Sequence, residues 1–155
     1  MKDKHFEVWM KLAQEMSKLS NCPRRKFGAL LLDPARNTIV ANGYNGGPRG
    51  GGDLCGGYRC LRDHHKIESG TKVEIGCHHA EMNVICNAAA AGIACLGMWL
   101  IVTGEPCLMC AKLLHHAGIT KVIVIGYLKN HGVAVVQRQG PPDPRIAHSP
   151  GACED

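Results

Sequence analysis

Four side chains in two short stretches have the types and spacing for metal-assisted proton chemistry. His79-Ala80-Glu81 opens one apolar segment, and Pro106-Cys107-Leu108-Met109-Cys110 opens another. Zinc is held in a tetrahedron of nitrogen and thiolate donors, and a catalytic site uses three protein ligands while leaving the fourth position to water. His79, Cys107 and Cys110 supply such a set. A purely structural zinc would have no use for Glu81. Two residues past the ligand histidine, on the first turn of a helix, a carboxylate stands close to the metal without being aimed at it. There it can take a proton from activated water and hand it on, general acid and base work by one group. A C-x-x-C pair alone is more often a structural zinc or redox pair; joined to H-x-E it is a strong signal. The neighbouring residues have plainer readings. His78 is a bystander to the ligand directly before Ala-Glu. His115 and His116 fall near a helix C-terminus, where the dipole favours them as capping or surface residues, and Cys86 and Cys95 read as small core hydrophobes.

Such groups need helix starts to hold them. The apolar residues Phe6, Trp9, Met10, Ala13, Met16 and Leu19 recur at helical spacing and predict an amphipathic helix over residues 5–19. FGALLLD and NTIVAN flank a turn-forming stretch, Asp33 to Asn37, and predict a hairpin. Residues 43–76 are glycine-rich and without sustained period, hence a long loop; loops of this length in a compact domain are functional or pinned by something. EMNVICNAAAAG reads as a helix ending at Gly92, MWLIVTG as a buried strand, CLMCAKLLHHAG as a helix closed by Gly118, and KVIVIG and VAVVQ as two more strands. The alternation predicts an α/β fold, a layered sheet with helices on its faces. Only YLKNHG separates the last two strands, too short for a parallel crossover, so that pair is expected to be antiparallel. Both ligand stretches then open helices, where the macrodipole favours the thiolate, and Pro106 suits the turn into the second of them.

The chain has 155 residues, 45% hydrophobic and 20% charged, as expected of one soluble globular domain. We expect that domain over residues 1–139 and a Pro-rich tail over 140–155. No apolar run suffices for a membrane span, and the first segment is too interrupted by charge for a signal peptide, so the expected location is cytoplasmic, with no membrane partner. A formal charge of +5 suits an anionic ligand such as a nucleotide and is too scattered to indicate nucleic-acid binding. Nine cysteines, an odd number in a reducing compartment, point to ligands and buried thiols over disulfides.

H-x-E with P-C-x-x-C is the signature of the zinc deaminases of nucleobases, which the chain resembles. Asn42-Gly43-Tyr44-Asn45-Gly46-Gly47-Pro48, Cys22-Pro23-Arg24 before Phe27-Gly28-Ala29, His79-Ala80-Glu81-Met82-Asn83, and Ala111-Lys112 followed by His116-Ala117-Gly118-Ile119 narrow the likeness to the deoxycytidylate (dCMP) deaminases, over about residues 5 to 137. The resemblance implies a three-layer α/β/α cytidine-deaminase-like fold on a five-stranded mixed sheet. It implies hydrolysis of dCMP to dUMP and ammonia by a zinc-activated water with Glu81 as proton shuttle, supplying dUMP for thymidylate synthesis. It further implies a homo-oligomer, a hexamer, with dCTP and dTTP as effectors and Mg2+ accompanying a triphosphate. Carried over by position, Arg24 would contact the substrate phosphate, Asn45 would lie near its sugar, Ala80 and Tyr127 would complete the substrate site, and Gly43, Tyr44 and Gly46 would serve the effector. The short YLKNHG departs from the family, which runs a helix between its last two strands. Two other readings stay open: a deaminase of dCTP, cytidine or tRNA adenosine, and a zinc-stabilised nucleotide-binding protein without catalysis.

Cys77 lies too near His79 to be aimed easily at the same ion. By resemblance to viral members of the family with a second, structural zinc, Cys22, Cys55 and Cys77 are expected to hold one, with Cys60, His64 or His65 as fourth ligand. A metal clip would offset the ordering entropy of a loop with little apolar surface.

Overall fold

The computed structural model describes residues 3–48, 55, 59–69, 71, 73, 75–125 and 133–137. Tyr127, the YLKNHG connection and the tail from residue 140 lie outside the described residues.

The elements run α1 (Asp3–Ser17), β1 (Gly28–Asp33), β2 (Thr38–Tyr44), α2 (Leu61–His64), α3 (Ala80–Ala90), β3 (Trp99–Val102), α4 (Leu108–His116), β4 (Lys121–Ile125) and β5 (Val133–Gln137). The strands lie in the order β2-β1-β3-β4-β5. β1 is antiparallel to β2 and to β3, β3 is parallel to β4, and β4 is antiparallel to β5. The β1–β2 turn is tied by Asp33, whose carboxylate accepts from the backbone N–H of Ala35 at 2.9 Å and of Arg36 at 3.1 Å. Such an Asx-type contact is the local reason for the hairpin.

Strand periodicity divides the core between the two faces of the sheet. Leu30, Leu32, Ile101 and Ile123 meet Ala13 of α1, with Phe6, Trp9 and Met10 packed around them. Ala29, Leu31, Leu100, Val102 and Val124 meet Ala80, Val84 and Ala88 of α3 and Leu114 of α4. The continuous apolar runs of β1 and β3 are what a sheet covered on both faces requires. Each of the last two helices ends before a glycine in the left-handed region, Gly92 at φ 68° and Gly118 at φ 78°, the stop signals that their sequences carry. Two expectations need correction. The loop between β2 and α3 contains the short helix α2, and Cys86, expected in the core, is exposed, while Cys95 is half-buried against the α3 side of the core. Among the described residues, no helix is long and apolar enough to cross a membrane.

Candidate active site

α3 and α4 cover the same face of the sheet, and their first residues bring the candidate ligands together. His79 is the N-cap of α3, with φ −71° and ψ 158°. Cys107 is the N-cap of α4, and its sulfur accepts from the backbone N–H of Cys110 at 3.5 Å. The Nδ1 atom of His79 lies 3.4 Å from Cys107 Sγ and 3.5 Å from Cys110 Sγ. Among the described residues, these three form the group whose ligand atoms all lie within 4.8 Å of one another. Tetrahedral zinc, with Zn–N near 2.0–2.1 Å and Zn–S near 2.3 Å, sets a nitrogen and a sulfur ligand about 3.6 Å apart, so the donor set and its spacing fit zinc.

Glu81 stands on the first turn of α3, 5% exposed. Burial pushes its carboxyl above the ordinary carboxylate value, while its own backbone N–H, the neighbouring His79 and the Cys110 thiol pull the other way. Cys110 is pushed strongly upward by burial first and then by the negative neighbours Glu81 and Cys107. A buried carboxyl and two sulfurs crowded at one point form a site that a divalent cation would neutralise.

Residues 3–126 match the family of the cytidine and deoxycytidylate deaminase zinc-binding region. The chain belongs to that family. The deoxycytidylate deaminase of Schizosaccharomyces pombe is 30% identical over 135 residues, which cover 85% of this chain and 41% of that protein. ComE operon protein 2 of Bacillus subtilis is 34% identical over 116 residues, covering 74% of this chain and 56% of its own. The chain thus spans about half the length of these curated relatives. Among solved structures, the dCMP deaminase of cyanophage S-TIM5 in complex with dCMP and dUMP superposes with a TM-score of 0.65 at 33% identity, over 80% of this chain and 82% of that one. The fold is accordingly the α/β, cytidine-deaminase-like one.

The other residues expected to serve the deaminase site are placed as follows. The guanidinium of Arg24 donates to Ile67 O at 2.9 Å and Ser69 Oγ at 2.6 Å, and pairs with Asp63 at 3.5 Å. It therefore ties the chain before β1 to the loop after α2. Asn45 is buried, its carboxamide accepting from Phe27 N–H at 2.7 Å and donating to Arg25 O at 2.8 Å. Ala80 is wholly buried in the core on the α3 side. Gly43 is where β2 crosses α3, and a Cβ there would stand 2.6 Å from Val84 N, so close approach of two backbones demands glycine. Tyr44 is partly exposed, its carbonyl accepting from the Asn83 side chain at 2.7 Å. Gly46 pairs with His78 through reciprocal backbone hydrogen bonds of 3.1 and 2.8 Å, which hold the main chain just ahead of His79.

Cys22, Cys55 and Cys77 are neighbours. The Cys77 thiol donates to Cys55 O at 3.2 Å and is pushed upward by burial and by the sulfurs of Cys22 and Cys55. Cys60 is buried at the N-cap of α2, whereas His64 and His65 are exposed, their rings edge to face. Sequence reasoning passed over Arg62, which donates to four backbone carbonyls of the loop ahead of His79. Its partners are main-chain atoms, which no residue pattern reveals.

Proposed function

We propose that the chain is a zinc-dependent hydrolase that deaminates dCMP to dUMP and ammonia. The observation that carries this reading is the buried Glu81 beside a His79–Cys107–Cys110 trio at zinc-ligand spacing. The names of the relatives and the dCMP and dUMP bound in the cyanophage enzyme support the choice of substrate. Zinc held by the trio supplies Lewis acidity that makes water ionisable near neutral pH. Glu81 does the proton work. Its position next to the trio lets it accept a proton from the attacking water, pass it to the ring nitrogen of cytosine, and deliver the second proton to the departing amine. A carboxyl whose proton affinity is raised by burial suits a group that must both accept and donate.

Arg24 is the proposed phosphate contact. Each of its three guanidinium nitrogens already faces a partner, Ile67 O, Ser69 Oγ or Asp63, which leaves the second N–H of each terminal nitrogen for a phosphate oxygen. The test is ammonia release from dCMP, deoxycytidine, dCTP, cytidine and RNA, with the wild type and Arg24→Ala compared. dCMP should be the best substrate, and Arg24→Ala should raise KM for dCMP by about tenfold while changing KM for deoxycytidine by less than about twofold. Equal effects on both would remove Arg24 from the phosphate; activity confined to another member of the panel would overturn the substrate.

The second part of the cofactor proposal is a structural zinc on Cys22, Cys55 and Cys77. Burial and the neighbouring Cys22 and Cys55 push the Cys77 thiol upward, and three thiols drawn together from separate segments suit a thiophilic cation, which would have to bring their sulfurs closer than they stand here. Metal analysis of protein purified without chelator should find about two zinc ions per chain, falling to about one in Cys55→Ser with a loss of thermal stability. One zinc per chain in the wild type would overturn the second site.

A further inference from the structure

We propose that Arg62 is a positioning residue for the active site, a cation around which the loop that delivers His79 is wound. The proposal rests on the zinc-site reading above. Arg62 sits half-buried on α2. One guanidinium nitrogen donates to Val73 O at 2.9 Å and Ile75 O at 3.1 Å, and the other to Glu68 O at 2.8 Å and Thr71 O at 3.1 Å. The carbonyl of Arg62 itself accepts from Ile67 N–H at 2.7 Å, which closes the turn leaving α2. Head and backbone of one residue thus hold both ends of the segment 67–75.

Among the described residues of that segment the other local ties are short-range, Thr71 donating to Glu68 O from its N–H at 3.4 Å and its hydroxyl at 2.8 Å, and Val73 N–H donating to Thr71 O at 2.9 Å. Val73 and Ile75 remain 38% and 36% exposed, so their burial contributes little against the entropy of fixing the backbone. A guanidinium is suited to the task because its charge is permanent and its donors form a planar fork that reaches separate acceptors at once. The chain then turns at Gly76, φ 135°, where a Cβ would stand 3.1 Å from Arg62 Cδ and 3.2 Å from Cγ. The side chain's stem therefore sets the path as well as its head. Cys77 follows, bonded to Cys55 O, then His78, paired with Gly46, and then the ligand His79. The two backbone bonds at His78 fix the last step of this approach; Arg62 fixes the side from which it is made. Arg24 grips the same loop at Ile67 and Ser69, nearer α2, while the carbonyls of Glu68, Thr71, Val73 and Ile75 are held by Arg62.

The test uses the full-length, zinc-loaded protein as wild type, Arg62→Ala and Arg62→Lys, with amide hydrogen exchange of residues 66–79 and the rate of zinc transfer to a chelator as readouts. Arg62→Ala should speed exchange across 66–76 by about tenfold while leaving β1 and β3 unchanged. It should accelerate zinc release about tenfold, the smaller end of what supporting residues of metal sites show. Arg62→Lys should recover only part of both effects, because a single ammonium cannot span two pairs of carbonyls. Unchanged exchange in 66–76, or a loosened loop with zinc release at the wild-type rate, would overturn this proposal alone. A wild type that retains no zinc would overturn the zinc-site reading and this proposal with it. Should Arg62→Ala fail to fold, wild-type values of both readouts in Arg62→Lys overturn it equally.

Discussion

Glu81→Gln is expected to keep the fold and the bound zinc and to lose turnover by about two to four orders of magnitude, the usual contribution of a positioned acid–base group. Glutamine preserves the shape of the side chain and its burial, and removes only the capacity to carry a proton between water, ring nitrogen and amine. The same substitution should stabilise the metal-free protein. Burial raises the Glu81 carboxyl above its ordinary value, so the folded state binds this proton more tightly than the unfolded one. The stability attached to that proton is fully present below the ordinary carboxylate range and is lost as pH rises through the raised folded value. Metal-free Glu81→Gln should therefore have a higher denaturation midpoint than metal-free wild type at neutral pH, the difference closing at acid pH. Ammonia release within about threefold of wild type would overturn the shuttle role. A lower midpoint than wild type at neutral pH would show that the carboxylate is not the burden its burial implies.

What the sequence made legible follows from the range of each cause. Leu30–Leu31–Leu32 and Leu100–Ile101–Val102 announce strands buried on both faces, and the structure divides them between α1 and the α3–α4 side. Gly92 and Gly118 mark helix ends because only the local backbone decides them. The central antiparallel pairing of β1 with β3 joins segments far apart in the chain and leaves no local trace. Cys86 was misjudged for a related reason. EMNVICNAAAA is apolar nearly all round, so its period does not say which side faces the sheet, and Val84 and Ala88 take the core while Cys86 faces outward. The meeting of His79, Cys107 and Cys110 was readable because each half is contiguous and each sits at a helix start. Asn45 shows the opposite case. Resemblance places it near the substrate sugar, and the structure adds that its carboxamide binds the backbone of Arg25 and Phe27, main-chain partners that cannot be read from residue types.

Cys110→Ala is expected to lose the zinc of the active site, and with it all ammonia release, while the metal-free protein keeps its fold. The reason lies in where Cys110 stands. It is buried at the start of α4 but belongs to neither core cluster, so truncating it removes a ligand more than a packing group. In the metal-free protein its thiol is held neutral by burial and by Glu81 and Cys107 close by. A thiol must lose its proton to bind zinc, so that proton has to leave as the ion enters. Wild-type zinc affinity should accordingly rise with pH, by about tenfold or more per unit between about pH 6 and about pH 8, with protons released to the buffer. Competition against a chelator of known pH dependence measures the first, and calorimetry in buffers of different ionisation heat measures the second. A flat affinity across that interval would mean that Cys110 is already ionised before zinc arrives, and the crowding of negative groups that defines this site would then have to be relieved by something other than the metal.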